Sequence, residues 1–163
     1  MKTGIIILNY NDYETTKRLL DNVKDYKVLK EIVVVDNKST DNSLEELRKL
    51  KNKKITIIDS GNNKGYSYAL NVGCKYLIDK YKSLNIVISN SDIIIESELD
   101  IKDLNSYIST KNVIVGPTII QGNDLKRGFN GEIIELIGEF SYPISSFTPI
   151  YHFLLKTKEK FKK

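Results

Sequence analysis

The 163-residue chain is 40% hydrophobic and 28% charged, the composition of a soluble globular protein with one sizeable core. Its net charge of +4 resides entirely in residues 156–163, which hold five Lys and one Glu, and the other 20 basic and 20 acidic residues cancel. The basic balance is therefore no argument for a nucleic-acid-binding domain, and the single cysteine, Cys74, excludes an internal disulfide and suits a reducing compartment.

Gly4–Leu8 is a continuous apolar run, the mark of a strand buried on both faces. Asn9 ends it too early for the roughly 7–15 apolar residues of a signal peptide, and no run approaches the roughly 20 of a transmembrane helix, so a cytoplasmic protein is expected. After the polar loop Asn9-Tyr10-Asn11-Asp12, a helix over about residues 13–25 carries Thr16, Leu19, Leu20 and Val23 on one face. Ile32–Val35 is a second, β-branched strand. A second helix follows, capped by Asp41 or Asn42, with Asn42 and Glu45 at capping-box spacing and Leu44, Leu47 and Leu50 as its buried stripe.

Ile55–Ile58 is the third strand, and Asp59-Ser60-Gly61-Asn62-Asn63-Lys64-Gly65 has turn chemistry. A long helix over about 66–82 should bury Ala69, Gly73, Tyr76 and Leu77, and Cys74 within it reads as a packed thiol. Ile86–Ile88 is the fourth strand, with Ile93–Ile95 as a short extension beyond Asp92. A helix over about 98–109 and a fifth strand, Val113–Val115, follow. Residues 1–117 are thus expected to form an α/β core. Residues 118–163 are expected to be an irregular segment and a basic C-terminal helix of the same domain.

This alternation predicts a three-layer α/β/α fold around a mainly parallel sheet. Ligands bind such sheets at the carboxyl ends of the strands, where Asn9–Asn11, Asp36, Asn62–Gly65 and Asn90–Asp92 all fall. Asp36 and Asp92 each end an apolar run, which makes them the candidate functional acids.

These loops, in this order, resemble glycosyltransferase family 2, whose members share the GT-A, nucleotide-diphospho-sugar transferase-like fold. Ile7–Asn11 resembles the family's first strand and loop, Val34–Ser43 its acid-led second loop, and Asn63-Lys64-Gly65, with Asn71 beyond, its Asn-x-Gly segment. Asn90-Ser91-Asp92 stands where the family has Asp-x-Asp, and the rhamnosyltransferase-like branch often carries Asn first. The resemblance implies a metal-dependent, inverting transfer of sugar from a UDP- or dTDP-sugar to a glycan acceptor, in polysaccharide or cell-surface glycan synthesis. It implies that Tyr10 stacks near the base, that Asp36 accepts a hydrogen bond from the base imide, and that Asn63 and Gly65 shape the loop beside base and diphosphate. Leu8, Asn11 and Ser91 complete the implied donor-binding set. Asp92, with Asn90, is the implied ligand set for Mg2+ or Mn2+ on the diphosphate, where a hard cation stabilises the leaving group.

Two departures qualify the implied site. Asn90 removes one negative charge, so metal affinity without nucleotide should be weak. Beyond residue 117 only Asp124, Glu132, Glu135, Glu139 and Glu159 remain as carboxylates, none in an acceptor motif, so the catalytic base is unassigned. The chain reads as the truncated, donor-binding half of such an enzyme, with a non-catalytic sugar-nucleotide-binding module as the alternative. A dinucleotide oxidoreductase fails because Asn9–Asp12 has no glycine to admit a pyrophosphate. The lysine-rich end allows weak contact with the inner face of a membrane.

Overall fold

The computed structural model describes residues 2–81 and 83–108, together with two short strands, Val113–Ile114 and Ile134–Glu135. Strands β1 (Thr3–Asn9), β2 (Leu29–Asp36), β3 (Ile55–Asp59) and β4 (Asn85–Ser89) form one parallel sheet in the order β3-β2-β1-β4. Helices α1 (Tyr13–Val23), α2 (Ser43–Lys49), α3 (Tyr66–Lys80) and α4 (Glu98–Ile108) alternate with them.

The apolar runs divide by the strand period of two. Ile5, Ile7, Ile32 and Val34 pack with Leu19, Leu20 and Val23 of α1, Leu47 of α2 and Ile101 of α4. Ile6, Leu8, Val33 and Val35 point the other way, onto Ala69, Leu70, Cys74 and Leu77 of α3. Side chains needed on both faces explain why the central strands lack polar alternation. Burial pushes the Cys74 thiol up to about 12, so it is a packed side chain and not a nucleophile at neutral pH. Gly73 lets α3 approach closely: a Cβ there would lie 2.9 Å from Ile6 Cγ2 and 3.0 Å from Val35 Cγ2.

Register places the carboxyl ends side by side, with Asn9 opposite Asp36, Asp36 opposite Asp59, and Ser89 opposite Ile7. The opposite edge is closed by a polar knot. Glu31, 2% exposed, accepts hydrogen bonds from Thr56, Tyr76 and Lys80 on one carboxylate oxygen and from Tyr81 on the other. Burial works against its charge, but these bonds, Lys80 first, outweigh it and hold the carboxyl at about 2.

Three expectations change. Val113–Ile114 does not join the parallel sheet; it pairs antiparallel with Ile134–Glu135, a partner that lies beyond the alternating pattern. Ile93–Ile95 is not a strand, because the Ile95 backbone is bonded by the Asn22 side chain instead of a sheet ladder. The capping box of α2 does not form: Asn42 makes no side-chain cap, and Asp41 Oδ1 accepts the Ser43 N–H at 2.9 Å. The expected C-terminal helix and His152 lie outside the described residues.

Candidate functional site

The first two loops at the carboxyl rim are laced together. Asn9, 1% exposed, accepts from the Thr16 hydroxyl of α1 at 2.7 Å and donates to Asp36 Oδ2 at 2.7 Å. Ser39 donates its hydroxyl to the same oxygen at 2.6 Å and its backbone N–H to Oδ1 at 2.9 Å. Asp36 is therefore wholly buried and mostly saturated. A carboxylate oxygen accepts more than one bond, so the acceptor capacity left for a base edge is on Oδ1. Asn11 continues the lacing: its N–H donates to Ser39 Oγ and its side-chain oxygen accepts the Thr40 N–H at 2.7 Å. It does so with φ +52°, a left-handed conformation that Asn tolerates.

The third loop is tied to the second. Asn37, buried beside Asp36, donates from Nδ2 to Asn63 Oδ1 at 3.1 Å, while its own Oδ1 has no partner. Asn63 Oδ1 also accepts the Gly65 N–H at 3.2 Å, the turn that starts α3. Gly65 has φ +90°, where a side chain is strained even though the space around it is open. Gly65, the N-cap of α3, has no side chain to cap the helix. Lys64 lies over the Tyr68 ring, 5.4 Å from its centroid.

The fourth segment differs. Asn90 and Asp92 are exposed and Ser91 is half-buried. Ser89 Oγ donates to the Asn90 carbonyl at 2.7 Å, but Asp92 has no hydrogen bond or salt bridge among the described residues. Burial, and then the charge of Asp92, raise the Tyr66 hydroxyl above its ordinary value. Tyr10 stands half exposed on the same rim. Leu8 lies two residues before Tyr10, its side chain in the α3-side core.

The rim brings together Tyr10, Asn11, Asp36, Asn63, Gly65, Asn90, Ser91 and Asp92, while Leu8 reaches it only through its backbone. Ser39, Asn37 and Tyr66 were not among the sequence candidates, and Asn9 was placed on the rim without a role. Ser39 had a readable signal, since a serine three residues after an aspartate favours a local side-chain turn. Asn9 and Asn37 act across 26 or more residues of chain, which no local pattern reports.

Asp92 and Asn90 offer one charged and one neutral oxygen donor, two residues apart. Among the described residues no three His, Cys, Asp or Glu side chains gather to hold a metal ion. This donor set fits a hard cation shared with phosphate oxygens and does not fit a cage made by protein alone.

A parallel α/β/α sheet with four polar loops on its carboxyl rim defines a GT-A-type protein. The chain belongs to glycosyl transferase family 2, whose profile matches residues 4–162. It is 36% identical over 119 residues to the low-salt glycan biosynthesis hexosyltransferase Agl10 of Haloferax volcanii, an alignment covering 72% of this chain and 36% of that protein. The mannosyltransferase PcManGT of Pyrobaculum calidifontis, solved with GDP-Man and Mn2+, superposes with a TM-score of 0.60 at 19% identity, over 72% of this chain and 36% of its own. Residues 1–349 of S. aureus TarS, solved with UDP, give 0.54 at 24% identity, over 74% of this chain and 38% of that fragment. The chain thus spans little more than a third of the length of the hexosyltransferase and of the mannosyltransferase.

Proposed function

We propose that this chain binds the nucleotide-sugar donor of a metal-dependent, inverting glycosyltransferase that acts on a glycan acceptor in polysaccharide or cell-surface glycan synthesis. The observation that carries the reading is an exposed carboxylate, Asp92, with no hydrogen bond or salt bridge among the described residues, on the rim that also holds Asp36 and Asn63. In this reading Tyr10 offers an aromatic face to the base. The remaining acceptor capacity of Asp36 selects a base edge that presents a donor, as the imide of uracil or thymine does. Asn63 and Gly65 shape the wall beside the diphosphate, and the positive end of the α3 dipole favours its negative charge. Asp92, assisted by Asn90 and Ser91, would hold Mg2+ or Mn2+ on the phosphate oxygens. Such a cation neutralises charge on the departing nucleoside diphosphate.

The GDP-Man and Mn2+ bound to the mannosyltransferase and the UDP bound to TarS support this class of ligand. We favour a UDP- or dTDP-sugar, with the guanine nucleotide as the competing outcome. No helix among the described residues is long and apolar enough to cross a membrane. The proposed location is cytoplasmic, with weak contact to anionic lipid through residues 156–163.

A sugar-nucleotide-binding module without transfer activity is the second reading. The other described loop acids at this rim are engaged: Asp12 accepts the Thr15 N–H of α1, Asp41 that of Ser43, and Asp59 that of Gly61. Titration of UDP, dTDP and GDP with and without Mn2+, followed by assays of donor hydrolysis and transfer, separates the readings. Binding without turnover selects the module, and no nucleotide binding removes both.

A further inference from the structure

The residue that carries the proposed metal ligand sits in a segment with little to hold it. Between Asn90, whose carbonyl is bonded by Ser89, and Ile95, residues 91–94 make no hydrogen bond among the described residues. Ile93 and Ile94 are 41% and 67% exposed, so burial fixes them poorly as well. The first anchor downstream of Asp92 is Ile95. There Asn22, on the last turn of α1, makes a two-point contact: its Oδ1 accepts the Ile95 N–H at 3.0 Å, and its Nδ2 donates to the Ile95 carbonyl at 3.0 Å. The Tyr26 hydroxyl donates to the same carbonyl at 2.8 Å. Three residues later Glu98 Oε2 accepts the Lys27 N–H at 2.8 Å.

An amide side chain that satisfies both backbone groups of one residue imitates a strand partner. It stands in for the sheet ladder that the apolar run Ile93–Ile95 could have made. The span carrying Asp92 is therefore strung between Ser89, set by sheet register, and Ile95, set by α1. Its path depends on both ends, because a few unsupported residues lose definition when either end is released.

We propose that Asn22, seconded by Tyr26, is a positioning residue for the Asp92 segment: it acts through Ile95 to set where the carboxylate meets a donor-bound cation. The proposal rests on the reading of Asp92 given above. Asn22 touches neither nucleotide nor metal in it.

The test measures Mn2+ half-saturation by electron paramagnetic resonance on the full chain with saturating UDP, and UDP affinity without metal by calorimetry. Replacement Asn22→Leu should raise the Mn2+ half-saturation roughly threefold to tenfold, less than the 10–100-fold typical of direct partners of a metal ligand. Metal-free UDP affinity should change less than about twofold, within the range of an indirect effect. Tyr26→Phe, which keeps the two-point contact, should give a smaller shift of the same sign, and it serves if Asn22→Leu does not fold. Asn105→Leu is the control. Asn105 bridges Asn85 and Thr3 at the amino-end edge of the sheet, so its loss should lower stability and leave the Mn2+ dependence unchanged. Equal Mn2+ half-saturation in wild type, Asn22→Leu and Tyr26→Phe overturns the positioning role alone. A wild type whose UDP binding ignores Mn2+, or that Asp92→Ala leaves unaltered, overturns the metal-ligand reading and the positioning role with it.

Discussion

Asp36 and Asp92 both end apolar runs at the same sheet rim, yet their surroundings are opposite. Asp36 is wholly buried and receives three hydrogen bonds from Asn9 and Ser39. Asp92 is exposed and receives none among the described residues. A carboxylate that accepts three internal bonds spends most of its acceptor capacity on organising its own loop, whereas an unbonded one keeps all of it. The two acids thus differ in how far the fold has committed them, even though a sequence presents them as equals.

The largest expected effect that tests this difference is on stability at Asp36. Asp36→Ala takes the carboxylate acceptor from the buried Asn9 amide and from the half-buried Ser39 and should cost about 2–4 kcal/mol in urea or thermal unfolding. A loss below about 0.5 kcal/mol, the range of an ordinary surface change, would show that the lacing is not structural.

Glu31 extends the comparison to the other edge, as a buried and saturated acid far from the rim. Its folded value of about 2 lies below its ordinary 4.5, so its stabilisation is full above pH 4.5 and disappears as pH falls toward 2. The drop should be about 3 kcal/mol at most by the energy equivalent of such a shift. Urea midpoints measured between pH 6 and pH 2 would show it, and Glu31→Gln should flatten that part of the profile. Identical acid profiles in the two proteins would remove Glu31 as the cause.

Gly65→Ala should cost about 1 kcal/mol, since φ +90° strains any side chain while nothing nearby would clash. It should weaken UDP binding more than stability if the loop shapes the site. The smallest stability effect belongs to Asp92→Ala, within about 0.5 kcal/mol of wild type, as for a surface change away from packing. The same change should abolish the Mn2+ dependence of nucleotide binding. Together with Asp36→Ala it forms a crossed test: one substitution moves stability, the other moves metal response.

Much of this was legible from local pattern. The apolar runs located β1 to β4 to within a few residues, because a strand buried on both faces has to be apolar throughout. The polar loops were correctly placed on one rim, because parallel crossovers return every strand in the same direction. Ile93–Ile95 misled for the same reason: apolar spacing cannot tell a strand from a segment whose backbone is bonded by a distant amide.

By itself the sequence determined the α/β alternation, the two-sided core and which acids stand at strand ends, since these follow from side-chain period and turn chemistry. Only the tertiary structure decided which acid is sealed and which is open. That depends on partners brought together across the sheet: Asn9 onto Asp36, Asn37 onto Asn63, and Asn22 onto Ile95. Hydrogen bonds are set by distance in space, and residues 26 to 73 positions apart in the chain meet only when the sheet is assembled.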